Sequence, residues 1–108
     1  MIKMIGFIRK KPGVSSDEFF KYWKDTHGPL AAKLVPGLRR YVQNHVLSMP
    51  GASCDWDGFV ELYFDDFQAY QVFLGWRQSD AARELIEDED KFVDRRRSRC
   101  LVVEHIIV

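Results

Sequence analysis

Thiol chemistry is nearly missing from this chain: its two cysteines, Cys54 and Cys100, stand far apart with no C-x-x-C spacing. That excludes a disulfide scaffold and a cysteine-based zinc site, and fits two reduced thiols in a cytoplasmic protein. The three histidines, His27, His45 and His105, are equally scattered, so a compact metal-ligand spacing is lacking and no metal is expected. A glycine-rich phosphate loop and a nucleophile elbow are absent too, and no residue stands out as a haem ligand, so no cofactor is expected. Neither sign of charge prevails, with Lys plus Arg and Asp plus Glu at 16 each. No overall field therefore draws the chain to nucleic acid or an anionic membrane. No apolar run reaches membrane-spanning length, and MIKMIGFIRKK is apolar first and basic afterwards, the reverse of a secretory signal.

What is abundant is core material. Hydrophobic residues make up 46% and aromatic ones 14% of 108 residues, enough for one globular domain over 1–108 without metal or disulfide staples. Residues 2 to 9 alternate Ile2, Met4, Gly6, Ile8 against Lys3, Ile5, Phe7, Arg9, apolar on both faces, which predicts a central strand with Lys3 and Arg9 snorkelling at its ends. Ser15 and Glu18 form an S-x-x-E capping box, with the serine oxygen taking a helix N–H and the glutamate reaching back. The helix it starts carries Phe20, Trp23, Leu30, Ala31 and Leu34 at helical spacing. His27 lies in the same stripe and is expected to be at least partly buried. Gly28-Pro29 should interrupt that helix beside the histidine.

Residues 38 to 48 predict a second strand, Gly58 to Phe64 a third, and 99 to 108 a last. Asp65 or Asp66 should cap a helix bearing Phe67, Tyr70, Phe73, Leu74 and Arg77, and Ser79 a further segment through Ala82, Leu85 and Ile86. The acidic run Glu87 to Asp90 and the basic run Arg95 to Arg97 read as solvated surface. The order is βαββαβ: an α+β, ferredoxin-like fold with a four-stranded antiparallel sheet. Helices can cover only one of two apolar sheet faces, so a second copy's sheet is the natural cover for the other, and a homodimer is expected.

The run R-K-K-P-G-x-S-x-x-E-F-x-x-Y-W, then H-G-P-L, then P-G-L-R-R-Y-V-Q-N-H, resembles the EthD family of small dimeric α/β-barrel proteins, named from ethyl tert-butyl ether degradation. The match is dense over residues 1 to 47 and looser beyond. The resemblance implies a ferredoxin-like subunit, a homodimer whose two sheets enclose a cavity, and a largely unassigned biochemical role. Related barrels include polyketide cyclases, decarboxylases, isomerases and haem-degrading monooxygenases, so fold alone selects no reaction.

Period-two alternation sorts the strand residues. Val60, Leu62 and Phe64 should meet the helices, sending Phe59, Glu61 and Tyr63 into the chamber between sheets. In the second strand, Tyr41, Gln43, His45 and Leu47 are assigned to that chamber. Its expected polar groups are then Tyr41, His45, Glu61 and Tyr63 within an apolar lining of Ile5, Phe7 and Phe59, joined by His27 and Trp23 from the helix. Histidine exchanges protons near neutral pH, tyrosine can hold a carbonyl or phenolate oxygen, and a carboxylate such as Glu61 can orient an imidazole. That set suits proton transfer on a small hydrophobic aromatic or carbonyl compound: isomerisation, cyclisation, dehydration or decarboxylation. The competing expectation is a non-catalytic binding protein for a lipophilic compound, supporting a partner monooxygenase. The plainer roles stand beside both: His27 closing a helix end, Trp23 as core, Glu61 and Tyr63 as dimer contacts.

Overall fold

The computed structural model describes residues 1–108. Strands β1 (Ile2–Ile8), β2 (Arg40–His45), β3 (Gly58–Phe64) and β4 (Ser98–Val102) form one antiparallel sheet in the order β2-β3-β1-β4. The helices are α1 (Ser16–Tyr22), α2 (Gly28–Leu34), α3 (Phe67–Arg77) and α4 (Arg83–Glu89). They cover one face of the sheet, because Met4, Leu62 and Phe64 pack with Ala31, Val35, Tyr70, Phe73 and Leu85 in one core cluster. Ile8, Phe19, Trp23, Phe92 and Val93 make a second. This is the ferredoxin-like arrangement that the element order predicts.

The third strand keeps its predicted bounds, and two others are shorter in the structure. The second strand occupies 40–45 rather than 38–48, and the last occupies 98–102, leaving 103–108 without regular structure.

Ser15 accepts from the Glu18 backbone N–H at 3.1 Å, which is the serine half of the capping box; Glu18 makes no return bond. Asp66 caps α3 by accepting from Ala69 N at 2.8 Å. Ser79 does not act as a cap: its hydroxyl donates backwards to the Trp76 carbonyl at 2.6 Å, and a 3₁₀ turn, Asp80–Ala82, leads into α4 instead.

Gly28-Pro29 does not break the first helix. The chain runs on from α1 to α2 through a wide π-helical turn, Trp23–His27, in which the Gly28 N–H bonds back five residues to the Trp23 carbonyl. Pro29 sits in the first turn of α2, where its missing N–H is tolerated. Gly28 suits a close approach, since a Cβ there would lie 3.0 Å from the Trp23 carbonyl and 2.6 Å from Gln43 Nε2, displacing that amide. That amide donates to the Trp23 carbonyl at 2.8 Å, tying β2 to the wide turn.

Trp23 is 1% exposed and is wedged between sheet and helix. A Cβ on Gly58 would meet its ring at 2.5 and 2.7 Å. Gly58→Ala is therefore expected to cost about 1–3 kcal/mol by overpacking, which for a domain near this size lowers Tm by roughly 4–8 °C per kcal/mol. A thermal melt within a degree of the parent would show that the Trp23 contact is not tight.

Candidate functional site

The register of the sheet decides which side chains can meet. Tyr41 is paired with Leu62 and Gln43 with Val60, and residues directly opposite in a ladder share a face. Tyr41, Gln43 and His45 therefore lie on the helix-covered side, not in a chamber between two sheets. Pattern alone misassigned this strand because both of its faces mix polar and apolar groups.

On that covered side lies a partly open cavity of about 330 Å³ walled by Met4, Ile8, Trp23, Val35, Phe73 and Phe92 among others. Its polar lining is short: His27, Tyr41, Arg77, Glu89, Arg97, Ser98 and Arg99. An apolar chamber with a few convergent polar groups is the usual form of a small-molecule site.

His27 projects from the wide turn and is 6% exposed. Its Nδ1 lies 2.8 Å from Asp88 Oδ2. Burial works to raise the Asp88 pKa, but hydrogen bonds from Tyr22 and His27 more than offset it and hold the carboxyl below its ordinary range. An ionised carboxylate only accepts, so His27 Nδ1 carries the proton and donates it. The other ring nitrogen, Nε2, has no protein partner. No sealed side-chain nitrogen or oxygen in the molecule lacks one, so Nε2 is accessible, and the residue that carries it lines the cavity.

Tyr22 donates its hydroxyl to Asp88 Oδ1. Burial first, then Asp88, push the Tyr22 pKa up to about 12. The phenol thus stays protonated and fixes the carboxylate from the side opposite His27.

Tyr41 accepts from Gln43 Nε2 at 3.2 Å, which leaves its own O–H free to donate. Burial raises its pKa, so it too remains neutral.

Glu89, which also lines the cavity, is held by two arginines. Arg77 makes a paired contact, Nη1 to Oε1 at 3.0 Å and Nη2 to Oε2 at 2.7 Å, and Arg97 Nη1 reaches Oε2 at 2.9 Å. Burial works to raise the Glu89 pKa, and Arg77 and then Arg97 bring it lower on balance.

The EthD domain matches this sequence over residues 11–96. The chain belongs to the EthD family. Among solved structures, its fold is similar to that of an EthD family protein from Bacillus halodurans, 24% identical over 97% of this chain and 99% of that one, with a TM-score of 0.73. An EthD-like protein from Ralstonia eutropha is 18% identical over 99% and 92%, with a TM-score of 0.70. A dimeric ferredoxin-like protein of unknown function from Thermobifida fusca is 16% identical over 95% and 90%, with a TM-score of 0.64. No curated protein matches.

Within this EthD subunit the sequence-predicted residues divide three ways. His27, Tyr41 and Trp23 line the cavity described above. His45 faces the same side but is stacked between Phe20 and Trp23, with ring centroids at 4.8 and 4.7 Å and planes within 15°. Its Nε2 lies 2.9 Å from Gln43 Oε1, and burial followed by the Lys24 charge lowers its pKa. His45 is a packing element here and does not reach the cavity.

Glu61, Tyr63, Ile5, Phe7 and Phe59 form the third set, on the opposite, helix-free face, where Phe7 pairs with Phe59, Ile5 with Glu61 and Lys3 with Tyr63. Lys3 does not snorkel. It is 8% exposed and is bridged to both Glu61 and Glu104, whose hydrogen bonds, Glu104 first, hold its pKa well above the ordinary lysine range.

Two charged groups were hidden in the acidic run. Asp88 is 6% exposed and Glu89 is ion-paired, so neither is simple solvated surface. A signal for Asp88 exists in the sequence: it lies three residues after Leu85 and four before Phe92, both buried, so helical spacing continues the apolar stripe through it.

No helix is long and apolar enough to cross a membrane.

Proposed function

We propose that this EthD protein is a small-molecule enzyme that moves protons on a hydrophobic carbonyl-bearing or phenolic compound, working as a homodimer. The observation that carries this reading is the His27–Asp88 pair at the wall of an apolar cavity, with Nδ1 committed and Nε2 left open. A carboxylate that fixes the imidazole tautomer and balances its charge when protonated makes Nε2 a base poised for the neutral range. His27 takes a proton from the bound compound at Nε2 and returns it to another atom of the same compound. Asp88 offsets the imidazolium charge between these two transfers. Tyr41 supplies the neutral donor for an oxygen on which negative charge develops.

The dimer is supported by the helix-free sheet face. Ile5, Phe7, Val42, Phe59 and Val102 share it, and leaving such a face in water is unfavourable. The Thermobifida fusca relative is described as dimeric.

Native mass spectrometry of gently purified protein, followed by release of whatever is bound, tests both parts. A species of twice 12.7 kDa carrying a hydrophobic compound is expected. A monomer at micromolar concentration would overturn the dimer. A compound that stays chemically unchanged, with no exchange of its protons in deuterated water, would make the protein a carrier rather than an enzyme.

A further inference from the structure

The cavity carries more positive charge than its own acid can balance. Three guanidiniums line it, from Arg77, Arg97 and Arg99, against one carboxylate, Glu89. Arg77 and Arg97 are engaged with Glu89, and Arg97 also faces Asp90 at 3.7 Å and donates Nε to the Asp94 carbonyl at 3.2 Å, whereas Arg99 has no ion-pair or side-chain hydrogen-bond partner.

Arg99 is exposed yet lines the cavity, so it stands at the mouth. Its cross-strand neighbour on the same sheet face is Gly6. A Cβ at Gly6 would lie 2.7 Å from Val60 Cγ1, so the Val60 side chain takes the place opposite Arg99 and, with Met4 and Ile8, gives the cavity an apolar floor.

We infer that the cavity selects hydrophobic monocarboxylates, with the carboxylate held by Arg99 and the apolar body lying inward toward Trp23 and His27. This names the substrate class for the site proposed above and rests on that reading. Three physical points support it. A guanidinium offers parallel N–H donors that match a carboxylate. The low-dielectric wall beside it strengthens the pairing relative to water. Glu89, fixed in the same cluster, repels a second negative charge, which favours a monoanion over a phosphate dianion.

The test is calorimetric titration with benzoate, 2-naphthoate and decanoate, each paired with its primary amide, on the intact protein at about 0.1 M salt, where unscreened contacts still act. The acids are expected to bind at least tenfold more tightly than their amides. In Arg99→Gln that preference should fall severalfold or more while amide binding is unchanged, and Arg96→Gln, whose side chain does not line the cavity, should behave as the parent.

Equal binding of acids and amides by the parent would overturn the carboxylate inference and leave the chamber standing. An acid preference that survives Arg99→Gln, or that Arg96→Gln removes equally, would overturn the assignment to Arg99. Absence of binding by every acid and amide would sink both this inference and the chamber on which it rests.

Discussion

His27→Gln is expected to lower kcat on the true substrate by about 10²–10⁴-fold, the usual contribution of a positioned acid–base group, with little change in ligand affinity. Glutamine is close to histidine in size and can still give a hydrogen bond to Asp88, but it cannot accept and return a proton. Asp88→Asn is expected to act in the same direction. An amide would be free to offer a donor to Nδ1 and turn the imidazole to the wrong tautomer, so kcat falls while KM holds. Circular dichroism and a melt separate loss of chemistry from loss of fold. A folded His27→Gln variant with parental kcat would remove His27 from the chemistry, and the proposed proton-transfer function with it.

The second large effect is on stability. Glu89→Gln would leave Arg77 and Arg97 close together with their shared counter-ion gone. Loss of a charged hydrogen-bond set at a mostly buried site costs about 2–3 kcal/mol, which corresponds to a Tm lower by roughly 10–20 °C for a domain near this size.

The effect has a defined pH signature. The folded-state pKa of Glu89 lies below its ordinary value, so the unfolded chain binds the proton more tightly. Its contribution is therefore complete above the ordinary glutamate range near pH 4.3, and is lost as pH falls through the folded value. The gap between parent and Glu89→Gln should be full at pH 6–7 and should narrow as the protein is acidified. A gap of constant size down to acid unfolding would mean that shape, not charge, is what Glu89 supplies.

Much of this was legible in the sequence, for reasons that differ by residue. The order of elements follows from alternation, capping residues and glycine-proline punctuation, all local signals that the tertiary fold does not override here. His27 was legible because it interrupts an apolar stripe, and a polar residue in such a place must be paired.

Its partner Asp88 was not, because four consecutive acids, Glu87 to Asp90, resemble a solvated face unless the flanking Leu85 and Phe92 are used to set the helical phase. Tyr41 was found on wrong grounds. Its face depends on which residue of β3 it opposes, a long-range register that one strand's own pattern does not contain. Arg99 reaches the cavity through the register that sets it opposite Gly6 of β1, and Arg97 follows a segment pinned past the end of β1 by Lys11 N to the Phe92 carbonyl at 2.8 Å and Asp94 N to the Arg9 carbonyl at 2.9 Å. No pairing rule along the chain announces that contact.

The wide turn at Trp23–His27 sets a rhythm for the whole helix. Its buried side chains are Phe19, Trp23, His27, Ala31 and Val35, a beat of four residues repeated over four steps. An ordinary α-helix turns once in 3.6 residues, so a beat of four slips about 40° at each step and would wind well over a third of the way round by Val35. The looser coil of the π turn takes back part of that slip midway. It works as a vernier between two rulers of unequal pitch, and the mark on which it brings them into line is the histidine.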